Sequence, residues 1–298
     1  FCYRMIVIFQ VWIIIHIEVK IVHMNKLVSL EIIKYTASSL LNQQKTSGEP
    51  YFDKPIIGFA DASDHFFEKF KDIIGDFHLT PKEFFEVEFG KDSFAGGTVI
   101  CWVLPINKNI LMSNGVQTKL PSLEWAHTRY YGEAFNNELR SHLVSFLMDM
   151  GYRSISPLLS SKWERVYSPD VGHASSWSER HAAYVAGLGT FSLSDGLITE
   201  KGIAHRCGSV ITELKLKPTT RPYVGIYDYC LFYNSKTCGV CIKRCPAGAI
   251  SSDGHNKDLC FQYIREKVMP AVNDKYEVTT PSCGLCQTNT PCETKRPE

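Results

Sequence analysis

The chain has 298 residues, of which 44% are hydrophobic and 21% are charged, and its formal net charge is +1. This length is enough for one large domain or two modest ones with a hydrophobic core. The near-zero net charge excludes a strong global field that would attract nucleic acids or acidic membranes, although a local nucleic-acid-binding patch stays open.

The first 23 residues are rich in isoleucine and valine. Their longest uncharged run, residues 5–17, is shorter than the roughly 20 apolar residues that span a bilayer, and no small-residue cleavage site of a secretory signal is present. We expect Met24 to be the natural start, with residues 1–23 a non-native or disordered leader, and a membrane-associating helix is the alternative. No twin-arginine signal occurs, so a cytoplasmic protein without membrane contact is expected.

Periodicity in the next hundred residues predicts alternating helices and strands. Residues 25–44 have the apolar spacing of an amphipathic helix. Residues 56–60 and 98–104 are continuous apolar runs typical of buried strands, the second of them central. Between these strands, Asp61 or Ser63 is predicted to cap a helix.

The middle of the chain continues this alternation. Residues 123–150 have one apolar face and predict a long helix, and residues 178–186 predict a short one. Residues 197–199 and 208–216 indicate a pair of strands. The fold class predicted for residues 24–225 is therefore a layered α/β domain.

Eight of the eleven cysteines lie in the last quarter of the chain. They are Cys230, Cys238, Cys241, Cys245, Cys260, Cys283, Cys286 and Cys292. A small secreted domain held by disulfides can show such a density. Here the cysteines follow a long segment with its own predicted core, which does not need disulfides for stability.

The spacing of these cysteines favours iron–sulfur clusters. Cys238, Cys241 and Cys245 form a C-x2-C-x3-C-P motif, and in two-cluster ferredoxins the cysteine before the proline binds the other cluster. Ser235 stands where a further cysteine is usual, and Cys230 is the nearest substitute.

Applied to all eight cysteines, this crossing rule gives two complete sets of four. One predicted cluster takes Cys230, Cys238, Cys241 and Cys292, and the other takes Cys245, Cys260, Cys283 and Cys286. Structural zinc is the alternative, because paired C-x2-C elements also bind zinc.

Residues 178–212, followed by these cysteine motifs, resemble the corrinoid-dependent reductases, which include epoxyqueuosine reductase and the reductive dehalogenases. The matching elements are E-R-x-x-A-x-x-A-G-L-G at residues 179–189, L-I-T at 197–199 and G-S-x-x-T at 208–212. The resemblance covers roughly residues 50–298 and is specific in the C-terminal part.

The resemblance implies a nitroreductase-like α/β domain over residues 24–225 that binds a base-off cobalamin. A bacterial-type ferredoxin-like domain with two [4Fe–4S] clusters follows over residues 226–298. The nearer cluster would reduce the cobalt to Co(I). An electron donor such as ferredoxin or flavodoxin is implied, and the substrate is expected to be a small molecule or a modified nucleoside.

The resemblance also suggests residues that bind the corrinoid. Glycines leave room for a flat macrocycle to approach the backbone, and hydroxyl groups can hydrogen-bond its amides. The predicted corrinoid-binding residues are Gly187, Leu188, Gly189, Ser192, Ser194, Thr199 and Ser209. Taken singly, the glycines also fit a helix C-cap, and each hydroxyl residue also fits a turn or a strand.

Three side chains are candidates for catalysis. Epoxyqueuosine reductases carry an acidic proton donor six positions before the residue that matches Glu179. His173 occupies that position here, and Asp170 is a nearby acid. Arg206 falls where dehalogenases place a basic residue near the cobalt, and Tyr130 lies in a segment that resembles their tyrosine-bearing segment. Each of the three also fits an ordinary loop, strand or surface role.

Three other functions stay open at this point. The chain fits a two-cluster, ferredoxin-like electron carrier without a corrinoid, a cytoplasmic reductive dehalogenase, or a zinc-stabilised interaction protein. Corrinoid binding separates the first from a reductase, and iron content separates all cluster proteins from the zinc protein.

Overall fold

The computed structural model describes residues 21–298. Most of the predicted leader, residues 1–20, lies outside the described residues. Within the described range, no helix combines the length and the apolar character that crossing a bilayer requires.

A four-stranded antiparallel sheet organises the first two thirds of the chain. Its order is β1 (Ile56–Asp61), β2 (Thr98–Pro105), β8 (His205–Thr212) and β3 (Ser154–Ile155). All eight residues of β2 are buried, which confirms the central strand predicted from its unbroken apolar run. Because every pairing is antiparallel, this part is a mixed α/β structure on an antiparallel sheet.

Helices cover both faces of this sheet. They are α1 (21–38), α2 (Phe66–Ile74), α3 (Pro81–Phe89), α4 (Lys108–Gly115), α5 (Leu123–Asp149) and α6 (Glu179–Val185). Alternate β2 side chains point to opposite faces. Ile100 and Trp102 join one apolar core with α5, and Val99 and Cys101 join the other with α6. The sheet is thus a shared wall between two cores.

Two predicted helix boundaries differ from the structure. The first helix ends at residue 38 and is followed by a 3₁₀ turn at Leu40–Asn42, because Ser39 caps that turn. Helix α2 begins at Phe66, and the side chain of Asp64 accepts a hydrogen bond from the Phe66 amide (3.1 Å). The prediction that Asp61 or Ser63 caps this helix is wrong.

The predicted pairing of residues 197–199 with 208–216 is also wrong. β7 (Leu197–Thr199) pairs with β6 (Gly189–Phe191), whereas β8 pairs with β2 and β3. A tight turn joins β6 to β7, with Asp195 in the left-handed region (φ 57°). This local hairpin leaves β8 free to enter the main sheet. A second hairpin joins β4 (Arg165–Ser168) to β5 (Gly172–Ser175).

The cysteine-rich region consists of short elements. They are α7 (Leu231–Asn234), α8 (Val240–Arg244), β9 (Ile250–Ser251), β10 (Gly254–His255), α9 (Lys257–Tyr263), a π-helical turn (Ile264–Val268), α10 (Met269–Tyr276) and a 3₁₀ turn (Leu285–Gln287). Arg244 joins this region to the sheet part by donating to the Gln117 carbonyl (2.9 Å), and it also donates to the Thr288 carbonyl within the region (3.1 Å). The ferredoxin-like description of this region stays a prediction.

Candidate functional site

Four thiols, here called the first thiol set, surround a small cavity: Cys230, Cys238, Cys241 and Cys292. Burial first, and then the negative charges of Cys292, Cys230 and Cys238, raise the pKa of Cys241 to about 12. These four sulfur atoms are therefore near one another, although they come from two segments that are distant in sequence.

A second thiol set consists of Cys245, Cys260, Cys283 and Cys286. Burial raises the pKa of Cys283 to about 11, and the thiolates of Cys260 and Cys245 act in the same direction. The pKa of Cys286 lies well above its usual value, first through burial and then through the other three thiolates. The Ala249 amide also donates to Cys245 Sγ (3.3 Å).

The donor chemistry fits two iron–sulfur clusters. None of the ten cysteines between residues 21 and 298 forms a disulfide. In the same range no three histidine, cysteine or acidic side chains converge as closely as a single metal ion requires. Two groups of four thiols supply the number and the type of ligands that two [4Fe–4S] clusters require.

A central cavity of about 520 Å³ lies where the cysteine region meets α5, α6 and the start of β8. All four cysteines of the second thiol set line it. Three tryptophans, Trp125, Trp163 and Trp177, form apolar parts of the wall. This volume is in the range of ligand-binding cavities.

Another part of the wall of the central cavity carries a buried ion-pair network. Arg140, which is fully buried, donates to Glu133 (2.9 Å) and to Glu179 (3.2 Å). Arg206 donates to the other oxygen of Glu133. Glu179 also accepts from the Ser209 hydroxyl. The network fixes these side chains, because each carboxylate is held by two donors.

The pKa values in this network move in opposite directions. Burial alone raises the pKa of Glu133, but the positive charges of Arg206, Arg140 and Arg129 outweigh burial and lower it to about 2. Burial raises the pKa of Glu179 and prevails over the charge of Arg140. Glu133 is thus the firmly ionised member, and it holds the arginines on the cavity wall.

A buried thiol–imidazole pair also lies on this wall. Cys207 Sγ is 3.5 Å from His205 Nδ1, and His205 Nε2 donates to the Leu197 carbonyl (2.8 Å). Burial lowers the pKa of His205 to about 4 and raises that of Cys207 to about 12. Both groups are therefore neutral near pH 7.

Of the three predicted catalytic residues, Arg206 alone lines the central cavity, while the other two lie outside its wall. The ring of His173, in β5, packs against the Phe261 ring at a tilt of 44°, and its Nε2 is 3.8 Å from a carboxylate oxygen of Asp258. Tyr130 packs against Tyr131. The roles assigned to these three residues stay predictions.

The hydroxyl residues predicted to bind a corrinoid also differ in whether they line the central cavity. Ser194 lines the central cavity. The Ser192 hydroxyl is 3.1 Å from the Ser194 hydroxyl, and Ser192 lines the small cavity between the thiols of the first thiol set. Thr199 donates to the Gly202 carbonyl (2.9 Å), and the Ser209 hydroxyl is engaged by Trp177 and Glu179. These last two hydroxyls are occupied within the chain.

The predicted glycines are packed against the chain itself. A side chain at Gly189 would begin 2.1 Å from the Ile198 carbonyl, and one at Gly187 would meet the Thr220 carbonyl at 3.0 Å. Leu188 packs in one of the two cores. Close internal packing thus already requires glycine at position 189, and the corrinoid role of this segment stays a prediction.

Most of the charged wall of the central cavity was not foreseen from the sequence. Arg129, Glu133 and Arg140 lie at helical spacings of four and seven residues on α5, so they share one face. That charged stripe within an otherwise amphipathic helix is the signal that could have identified them. Glu179 was noted only as part of a motif.

Comparisons with known proteins give a partial match. No protein-family profile matches the chain. The trichloroethene reductive dehalogenase of Dehalococcoides mccartyi is 28% identical over 124 residues, which are 41% of this chain and 19% of that protein. Over these residues the chain is similar to a reductive dehalogenase. The chain spans about a fifth of this curated relative, and the similarity confirms the resemblance noted in the sequence.

Solved structures of two enzyme types are also similar to the chain. The epoxyqueuosine reductase of Bacillus subtilis has a TM-score of 0.49 at 17% identity, covering 90% of this chain and 66% of that one. The catabolic reductive dehalogenase NpRdhA, in complex with 3-bromo-4-hydroxybenzoic acid, has a TM-score of 0.47 at 14% identity, covering 91% and 36%.

Proposed function

We propose that the protein is an oxidoreductase that carries two [4Fe–4S] clusters and a base-off corrinoid and that reduces a substrate bound in the central cavity. One observation carries this proposal: all four thiols of the second thiol set lie on the wall of that cavity. A cluster held there would be next to the bound reactants. The similarity to a reductive dehalogenase supports the same reaction class.

The arrangement of the thiols suggests the direction of electron flow. The first thiol set lies away from the central cavity, and Cys286 of the second set lines both the central cavity and the cavity between the first four thiols. A donor such as ferredoxin or flavodoxin would therefore reduce the first cluster, which would pass electrons to the second.

The residues of the central cavity suit an amide-rich macrocycle. When bound, a corrinoid supplies a low-potential cobalt centre for reductive chemistry. Ser194, Ser178 and Ser282 line the cavity. Each of these hydroxyls has one partner within the chain and can make a further hydrogen bond to an amide. The tryptophans exclude water, and Glu133 keeps Arg206 in place beside the reactants.

Anaerobic reconstitution tests the cofactor part of the proposal. We expect about eight irons and eight sulfides per chain, and we expect added hydroxocobalamin to bind with a spectrum typical of a base-off corrinoid. Iron far below eight would contradict both clusters. Eight irons without corrinoid binding would identify a two-cluster electron carrier instead, and zinc without iron would identify a zinc-stabilised protein.

Turnover assays test the reaction class. With titanium(III) citrate as reductant, the loaded protein is offered trichloroethene, a brominated hydroxybenzoate and an RNA stem loop that contains epoxyqueuosine. Loss of halide or of the epoxide oxygen identifies the substrate class. If none of the three reacts while cobalamin is bound, the substrate lies outside the classes named by the similar proteins. We also propose that the protein is cytoplasmic.

A further inference from the structure

The central cavity has an excess of positive charge on its wall. Four arginines line it, namely Arg129, Arg140, Arg180 and Arg206, against two carboxylates, Glu133 and Glu179. The four thiolates of the second thiol set line the same cavity and would offset part of this charge when a cluster is bound.

These four arginines differ in the protein groups that they bind. Arg140 and Arg206 take both oxygens of Glu133, and Arg180, which is exposed, donates to the carbonyl of Asp195. Across residues 21–298, the structure contains no hydrogen bond or ion pair that involves the Arg129 guanidinium. Among the described residues, Arg129 is therefore the cavity cation whose five donors bind no protein group.

The position of Arg129 on α5 explains why no residue between 21 and 298 pairs with it. It lies one turn before Glu133, but the carboxylate of Glu133 is held by Arg140 and Arg206. The positive charge of Arg206 and then burial lower the pKa of Arg129 to about 10, and Arg165 acts in the same direction. The side chain still carries its charge near pH 7, in surroundings that are already positive.

We propose that Arg129 binds an oxyanion, a carboxylate or a phosphate group, of the molecule that enters the central cavity. A free guanidinium offers two parallel N–H groups that match the two oxygens of such a group. The neighbouring Arg206 adds to the local positive potential, and Trp125 and Trp163 provide apolar wall for the rest of the ligand. The inference rests on the proposed function only in taking this cavity as the place of cofactor and substrate.

The oxyanion has two candidate sources, which the probes separate. One is a substrate that carries a carboxylate or phosphate, and the other is the phosphodiester of a complete cobalamin. Benzoate and its neutral analogue benzamide represent the first source. Cobalamin and cobinamide, which lacks the phosphate, represent the second.

The test compares Arg129→Gln with the wild type and with Arg165→Gln. Arg165 is exposed, does not line the cavity and lies near enough to shift the pKa of Arg129, so its variant removes a nearby charge without removing the contact. Affinities are measured anaerobically by calorimetry and by quenching of the cavity tryptophans. We expect Arg129→Gln to weaken benzoate or cobalamin binding by about tenfold or more, and Arg165→Gln to weaken it by less than about threefold.

The neutral probes define the outcomes. A loss for benzoate but not for benzamide assigns the oxyanion to the substrate, and a loss for cobalamin but not for cobinamide assigns it to the cofactor. Equal affinities of wild type and Arg129→Gln for both benzoate and cobalamin would overturn the proposal, as would an equal loss in Arg165→Gln.

Two further measurements, the urea midpoint and the iron content, separate this inference from a folding defect and from a failure of the proposed function. Removing an unpartnered charge from positive surroundings should leave the urea midpoint of Arg129→Gln unchanged or higher, so a binding loss with a lowered midpoint would count against the proposal. Iron content is measured on the same samples. Anion binding at Arg129 together with absent iron would refute the clusters while leaving this inference intact.

Discussion

The substitution Glu133→Gln tests whether one carboxylate holds the charged wall of the central cavity together. It removes the negative charge that Arg140 and Arg206 share, while keeping the size of the side chain. A fall in the pKa of Glu133 from 4.5 to about 2 corresponds to about 3 kcal/mol in favour of the ionised folded state. We therefore expect the variant to lose about 3 kcal/mol of unfolding free energy at pH 7.

The pH dependence follows from the direction of this pKa change. Because the folded pKa of Glu133 is depressed, its contribution is complete above the unfolded value near 4.5 and is lost as the pH falls toward 2. The difference between wild type and variant should thus be constant from pH 8 to 6. Urea unfolding of the cluster-loaded protein measures it, and Glu138→Gln, an exposed position on the same helix, is the control. A loss below about 1 kcal/mol, or one matched by the control, would refute the reasoning.

Three further predictions concern the two cysteine sets, the attachment of the C-terminal segment and the place where a corrinoid binds. Replacing Cys238 or Cys283 by serine should each remove about four of eight irons, and iron analysis that shows complete retention in either variant would contradict the two-set assignment. A methyl group at Gly202 (φ 81°) would lie 2.2 Å from a backbone carbonyl of the C-terminal segment, whereas one at Gly151 (φ 87°) would meet nothing within 4 Å. Gly151→Ala should therefore cost about 1 kcal/mol and Gly202→Ala at least about twice that, in urea unfolding. Because Trp177 lines the cavity, Trp177→Phe should reduce the quenching of tryptophan fluorescence by added cobalamin, and unchanged quenching would place the corrinoid elsewhere.

Local sequence patterns predicted the helices and strands whose apolar residues reflect a single kind of burial along their whole length. The run that became β2 is apolar because both of its faces are covered, and the stripe on α5 is apolar because one core lies beneath it. The partner of β7 was predicted wrongly because both edges of β8 are already paired, with β2 and β3. The connections from β6 to β7 and from β7 to β8 each have five residues, so loop length alone does not identify the partner.

The residues of the candidate site also differ in whether local sequence patterns predict them. Cluster ligands obey short local spacings, so their motif is visible in the sequence, and the division into two sets of four stays a prediction that the thiol positions support. The wall of the central cavity has no such motif. Glu133, Arg140 and Glu179 matter because α5 and α6 bring them to one place beside β8, and that meeting of distant segments cannot be derived from spacing along the chain.

The cysteine-bearing segments are attached to the sheet part by close backbone packing. A side chain at Gly284, between Cys283 and Leu285, would lie 2.0 Å from the Trp125 ring, so this segment lies directly on α5. The Cys292 carbonyl likewise accepts from the Ile203 amide (2.8 Å), next to Gly202. Each set therefore has one cysteine on a segment that cannot move without disturbing a core or a backbone contact. Two rigidly placed clusters would keep their separation from the cavity nearly constant during turnover, as repeated one-electron transfer requires.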